Sequence, residues 1–283
     1  MDQYETAHGA RLCAHYLQRA VSAWLAEPAP HQWMGLLSEF YGAYVAVPVN
    51  EFGQPVTYVH EGQLAVPAHT RREAVPAWCA RIGLQEIPGV NIMLGDELLE
   101  YLAARHPDHC VVLDPQEAGI AIYPVDEYVA GYSRFGRLKA ALRRGEEGYQ
   151  HPAGEVIQEL LKPGAEIVYM LSPGSGLRPG EQPYPQLVNK PADGVGVGNG
   201  ASAGDAAVAG YAGAPPGGVV ACPLFTSALE VFRFQPQAGA AQTSVEWFRR
   251  YLPAGLAICI DPAADGKVIE LSAQELNTAG FWL

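Results

Sequence analysis

Hydrophobic positions recur every four residues near the start of the chain. Leu12, Tyr16, Ala20 and Trp24 form one row, with Cys13, Leu17, Val21 and Leu25 beside it. A helical period stacks these rows into one wide apolar stripe, so the stretch is predicted to be an amphipathic helix. Pro28 and Pro30 are expected to end it. Trp33 to Tyr41 reads as a second helix, and Tyr44 to Val49 as a buried strand closed by the turn around Asn50 and Gly53. The pattern then alternates. Strands are predicted at Leu64 to Ala68, Val90 to Leu94, Cys110 to Leu113 and Gly119 to Tyr123. Helices are predicted at Arg71 to Ile82 and Asp96 to Arg105, the latter started by Asp96 and Glu97. Short strands mixed with helices predict an α/β (mixed α+β) layer architecture behind an N-terminal helix.

Parts of this pattern come back later in the chain. Gly42-Ala-Tyr-Val-Ala-Val47 resembles Gly164-Ala-Glu-Ile-Val-Tyr169, an offset of 164 − 42 = 122. Val66-Pro67-Ala-His-Thr70 resembles Cys222-Pro223-Leu-Phe-Thr226, an offset of 222 − 66 = 156. Val111-Val-Leu-Asp-Pro115 resembles Ile258-Cys-Ile-Asp-Pro262 at 147, and Ile120-Ala-Ile122 lines up with Val268-Ile269 at 148. Matches in one order, with length changes placed in turns, predict a duplicated unit. Four regions follow: an N-terminal helix over 1–32, a first module over 33–130, a basic helical connector over 131–152, and a second module over 153–283. Residues 192–218 interrupt the second module, with 17 of 27 positions Gly or Ala, and read as a flexible insertion.

Tyr44-Val-Ala-Val-Pro-Val49, Gly62-Gln-Leu-Ala-Val-Pro-Ala68, Gly95-Asp-Glu-Leu-Leu99 and Val111-Val-Leu-Asp-Pro115 resemble the SseB-type family, known as enhanced serine sensitivity proteins. Pro223-Leu-Phe-Thr-Ser227 resembles the family's strand-to-helix segment. The resemblance covers about 33 to 130 well and 155 to 276 more loosely. It implies a soluble bacterial protein and brings no settled enzymatic activity. The chain departs from the family by its Gly/Ala insertion and by His69 where Phe is expected.

Composition narrows the function classes. A formal charge of −12 repels phosphate backbones, so nucleic acid is excluded as a partner. The longest apolar runs fall far short of the roughly 20 residues of a membrane span. The acidic N-terminus does not read as a secretory signal. Five widely spaced cysteines with no CxxC read as free thiols in a reducing cytosol, so a cytoplasmic location is expected.

Candidate chemistry is sparse. Gly194-Val-Gly-Val-Gly-Asn-Gly200 fails as a phosphate loop, because the third Gly of GxGxxG would fall on Asn199 or Ala201. His106-Pro-Asp108-His109-Cys110 gathers ligand types, but strand alternation aims His109 and Cys110 to opposite faces. Ser175 lacks the flanking glycines of a nucleophile elbow. A Cys79–His69 pair remains open, since partners of that kind meet in space. Asp114 and Asp261, each before a Pro, read as turn residues rather than paired acid–base carboxylates. No catalytic, cofactor or metal residue is assigned.

Two features point outward. Arg134, Arg137, Lys139, Arg143 and Arg144 fall within eleven residues of a predicted helix, and a positive patch on an acidic protein steers association. Phe281-Trp282-Leu283 puts an apolar anchor type at the terminus, which either docks on the core or enters a partner. Arg137, Arg143, Arg144, Phe281 and Trp282 are therefore the candidate partner-binding residues. The expected function is a non-catalytic protein-interaction module, an adaptor or chaperone-like accessory to a secretion or stress system, with an acidic protein as one possible partner. The alternatives are an amino-acid sensor, or a thiol or carboxylate enzyme with a site between the modules.

Overall fold

The computed structural model describes residues 7–84, 89–126, 129, 134–146, 152–171, 188–190, 219–251, 256–262 and 269–282. The fold is mixed α+β, as the pattern predicts, and the chain divides into two compact units, 1–132 and 133–283. The Gly/Ala segment 192–218 lies outside the described residues.

In the first unit, α1 (Ala7–Ala26) packs on α2 (Pro30–Gly42) and on β1 (Tyr44–Val49). The stripe behaves as its spacing dictates over part of its length, with Leu17 and Val21 buried. Its C-terminal end runs past the core, where Leu25 is 52% exposed. Pro30 does not merely stop α1. It opens α2 three residues earlier than Trp33, because the first helical turn needs no N–H from that position. Pro76 is tolerated in the first turn of α3 (Ala74–Arg81) for the same reason.

The strands form two sheets. β1 pairs antiparallel with β4 (Gly89–Leu94) over six residues. The other sheet runs β2 (Tyr58–His60), β3 (Gln63–Ala68), β5 (Cys110–Leu113), β6 (Ile120–Ile122). Only β3 and β5 are parallel in it, joined through α3, β4 and α4 (Gly95–Arg105). The two sheets meet at one bridge, Ala46 to His69, closed by hydrogen bonds of 2.8 and 2.9 Å.

The second unit holds α5 (Gly136–Glu146), α6 (Pro152–Leu160), β7 (Glu166–Leu171), β8 (Val188–Lys190), β9 (Val219–Phe225), α7 (Ala228–Phe234), β10 (Gly239–Ser244), α8 (Val245–Tyr251), β11 (Ala257–Ile260), β12 (Ile269–Leu271) and α9 (Ala273–Thr278). Its strands join one sheet in the order β10-β7-β9-β11-β12, with β8 also on β9. β9 and β11 are the parallel pair. The core gathers Phe248, Phe281, Leu224, Ile258 and the apolar faces of α5 and α6.

Candidate functional site

Groove and polar clusters are the two features that could carry function. The groove belongs to the first unit. The tight turn between α1 and α2 brings Trp24 and Trp33 together, with ring centroids 5.2 Å apart. Leu25, Pro28, Ala29 and Pro30 extend this wall. Residues 118–121, which lead into and begin β6, form the opposite wall. The open space between holds about 610 Å³, and no lining side chain is ionisable. β6 is also the last strand in its sheet order.

The polar clusters sit at the ends of the parallel strand pairs. Thr70 N donates to Asp114 Oδ1 at 2.9 Å and Thr70 Oγ1 donates to Asp114 Oδ2 at 2.8 Å. Thr226 makes the same two bonds to Asp261, at 2.8 and 2.5 Å. Both Asp residues adopt positive φ, 44° and 47°, a conformation that Asp tolerates better than most residues. An Asp-Pro pair in sequence predicts side chains that accept bonds from their own turn. Instead, each side chain turns back across the strand pair, and the Asp114 carbonyl serves the turn, accepting from the amides of Glu117, Ala118 and Gly119.

In the second unit the cluster is charged. Lys139 of α5 donates to Glu230 Oε1 at 2.8 Å and to Asp261 Oδ2 at 3.0 Å. Arg233 reaches the same Glu230 oxygen at 3.0 Å. Burial lifts the Asp261 carboxyl above its ordinary range. The Lys139 ammonium pulls it down, Glu230 pushes it up, and the Thr226 bonds favour the charged form. Asp114 is likewise raised by burial and opposed by its Thr70 bonds. In the first unit α1 reaches the equivalent place with Gln18, whose Nε2 donates to Thr70 Oγ1 at 3.1 Å.

The candidate partner residues divide on exposure. Arg137 is exposed. Arg143 is buried at 3%, which corrects its place in an exposed partner-binding basic patch. Leu138, Ala141 and Leu142 are buried on the same helix, and residues 139 and 143, one turn apart, follow them inward. The side chain of Arg144 lies outside the described residues. Phe281 is 0% exposed, packed in the second core, and so is not offered to a partner. Gly280 at φ 67° reverses the chain after α9, Phe281 N donates to Leu276 O at 2.8 Å, and Arg249 binds the carbonyls of Gly280 and Phe281. Trp282 is half-buried against that core.

The remaining candidates behave as buried or local groups. His109 Nδ1 lies 3.1 Å from Asp108 Oδ1, while Cys110 is buried with its Sγ 4.0 Å from Leu64 O. Among the described residues no three His, Cys, Asp or Glu side chains gather in a way that could hold a metal ion. Burial raises the thiols of Cys79, Cys110 and Cys222, which disfavours the reactive thiolate. His69 is buried, and its Nε2 has no hydrogen-bond partner among the described residues. No described helix is long and apolar enough to cross a membrane.

The sequence did not single out Trp24 and Trp33 as a groove, because the α1 stripe reads as core throughout. It also did not turn Lys139 inward. The available signal was a lysine inside the apolar run Leu138 to Leu142, opposite a Ser227-x-x-Glu230 helix start.

No family model matches the chain, and neither does any curated protein. Among solved structures, Anabaena Tic22 (protein transport) is 13% identical, with 78% of this chain and 84% of that chain covered. The TM-score is 0.19, too low for the two chains to share an overall superposition.

Proposed function

We propose that the chain is a non-catalytic protein-interaction module of the SseB type, acting in the bacterial cytosol as an adaptor or accessory, and that the groove of the first unit receives an uncharged apolar segment of a partner protein. The groove carries the reading. Paired indoles, prolines and an edge strand form an apolar cleft without an ionisable side chain, so a charged segment would lose hydration there with nothing to offset it. An extended segment also suits β6, the last strand in its sheet order among the described residues, where an added strand would extend the sheet. The buried thiols and the mutually bonded Thr–Asp and Lys–Glu–Asp groups support a structural use of the chain's polar chemistry. Arg137 adds a candidate contact for an acidic stretch beside the apolar one.

Two copies of one module are part of the same proposal. Its support is the shared Thr–Asp pair, and the pairing of β1 with β4 and of β7 with β10 over six residues each.

Fluorescence anisotropy of labelled peptides tests the reading. The set is an uncharged Leu/Val/Ser peptide, an acidic variant and a basic variant. Binding of the uncharged peptide, weakened at least about tenfold by Trp33→Ala and unchanged by Trp282→Ala, is expected. Equal binding of all three peptides, or none, overturns it.

A further inference from the structure

The first unit is built around a seam that the second unit lacks. β1 meets β3 through one bridge, Ala46 to His69. β7 and β9 are joined by two consecutive pairs, Val168 to Phe225 and Tyr169 to Leu224, and share one sheet. Sequence explains the interruption. Ala46 offers its N–H to His69 O. Two residues on, Pro48 has no N–H for that edge, and its carbonyl accepts from Val56 instead, at 2.9 Å.

His69 sits at this seam where the second unit has Phe225. It is 1% exposed, and its ring stands edge-on to Trp78 at 5.6 Å. Trp78 also takes Tyr58 edge-on at 5.1 Å. Behind the seam Ala46, Val75, Trp78 and Cys79 form one apolar cluster. On the packed elements the titratable and charged groups are Tyr58 of β2 and Cys79 of α3, both held neutral by burial, His60 of β2, whose ring lies 6.0 Å from that of Tyr58, Tyr44 at the start of β1, and the exposed Arg81 at the end of α3. β4 supplies none. Asp114, beyond Thr70, is engaged by that residue, and Arg71 with Glu117 pair with each other at the surface.

We propose that His69 makes the junction of β1 and β3 an acid-operated joint: proton uptake by the ring parts the Ala46–His69 bridge and opens the first unit while the second stays closed. Among the described residues, a charged imidazole in this apolar shell meets no carboxylate within the seam, and one bridge joins the two sheets there. Opening hydrates the ring, so each proton bound favours the open form. The burial that lowers the His69 pKa to about 4 is consistent with this direction.

Cys79 reports the opening, since it is buried behind the seam. The full chain is treated with dithiodipyridine at pH 7.5 and pH 5. Labelling is resolved by peptide mass, and each rate is divided by that of the denatured chain at the same pH. Cys222 of the second unit is the internal control. The expected result is at least a tenfold rise in Cys79 labelling at pH 5 in the wild type, with Cys222 unchanged. His69→Phe, which borrows the second unit's own residue, should remove the rise. His69→Gln, which stays neutral but polar, should remove it too and covers the case in which Phe does not fit. A flat wild-type profile, an equal rise at Cys222, or a rise that survives in a folded variant overturns the proposal.

Discussion

Lys139 Nζ lies 3.0 Å from Asp261 Oδ2, with each side chain only 2% exposed. The same nitrogen lies 2.8 Å from Glu230 Oε1. Two helices, α5 and α7, and the end of β11 are thus tied by ions that have left water, and the Thr226 bonds complete the shell around the aspartate. Such a network specifies how α5 sits more than it adds net stability, because desolvation offsets most of the attraction.

Lys139→Met therefore removes the ammonium that Asp261 and Glu230 share, while Arg233 remains on Glu230. It should lower the stability of the second unit by about 3–5 kcal/mol. Adding Glu230→Gln should recover at least about 1 kcal/mol, since Asp261 then no longer faces a second buried carboxylate charge. Urea unfolding read by hydrogen exchange in each unit measures both. A single variant as stable as the wild type would show that Lys139 is not engaged in this way.

Gly95→Ala tests a close approach in the first unit. A Cβ there would stand 2.1 Å from Phe40 O, a backbone atom that cannot swing aside. The cost should exceed the usual overpacking range of about 1–3 kcal/mol and fall on the first unit alone. Val245 begins the matching helix α8 and receives the matching bond, its N donating to Ala165 O as Gly95 N donates to Ala43 O. Val245→Ala should accordingly cost less, as a small core truncation.

Acid should weaken the first unit. The His69 pKa falls from 6.5 unfolded to about 4 folded, through burial. Between these values the unfolded chain holds a proton that the folded chain rejects, so stability is fully present above pH 6.5 and declines as pH falls toward 4. The total loss is bounded by about 3 kcal/mol. His69→Phe should abolish this part of the pH profile, measured as the urea midpoint of the first unit against pH.

The tail separates core from surface. Phe281→Ala should cost the second unit about 3–5 kcal/mol, because it empties a site among Phe248, Leu276 and Ile258. It should leave peptide binding at the first unit unchanged. Thermal unfolding and peptide anisotropy on one sample make the comparison.

Element boundaries were legible wherever period and punctuation agreed. Tyr44–Val49 and Cys110–Leu113 form strands with the expected limits, and Val90 to Leu94 differs by one residue. The last strand match was off by one. Ile120 and Ile269 both pair with the residue before the Asp, at Leu113 and Ile260, so their offset is 149 rather than 148. Side-chain direction was less legible. Lys139 and Arg143 look solvated from sequence because cations rarely enter cores; for Lys139 the distant Glu230 and Asp261 supply the partners that an inward turn needs. The groove escaped for a related reason. Helical spacing places Trp24 on the apolar stripe, but only the tertiary path of 118–121 decides that this end of the stripe lines a cleft.

Hydrogen exchange on the full chain, with and without the uncharged Leu/Val/Ser peptide, tests the groove assignment most directly. Protection confined to residues 24–33 and 118–121, and lost in Trp33→Ala, is the predicted result. Protection elsewhere, or none at peptide concentrations that saturate anisotropy, would contradict it.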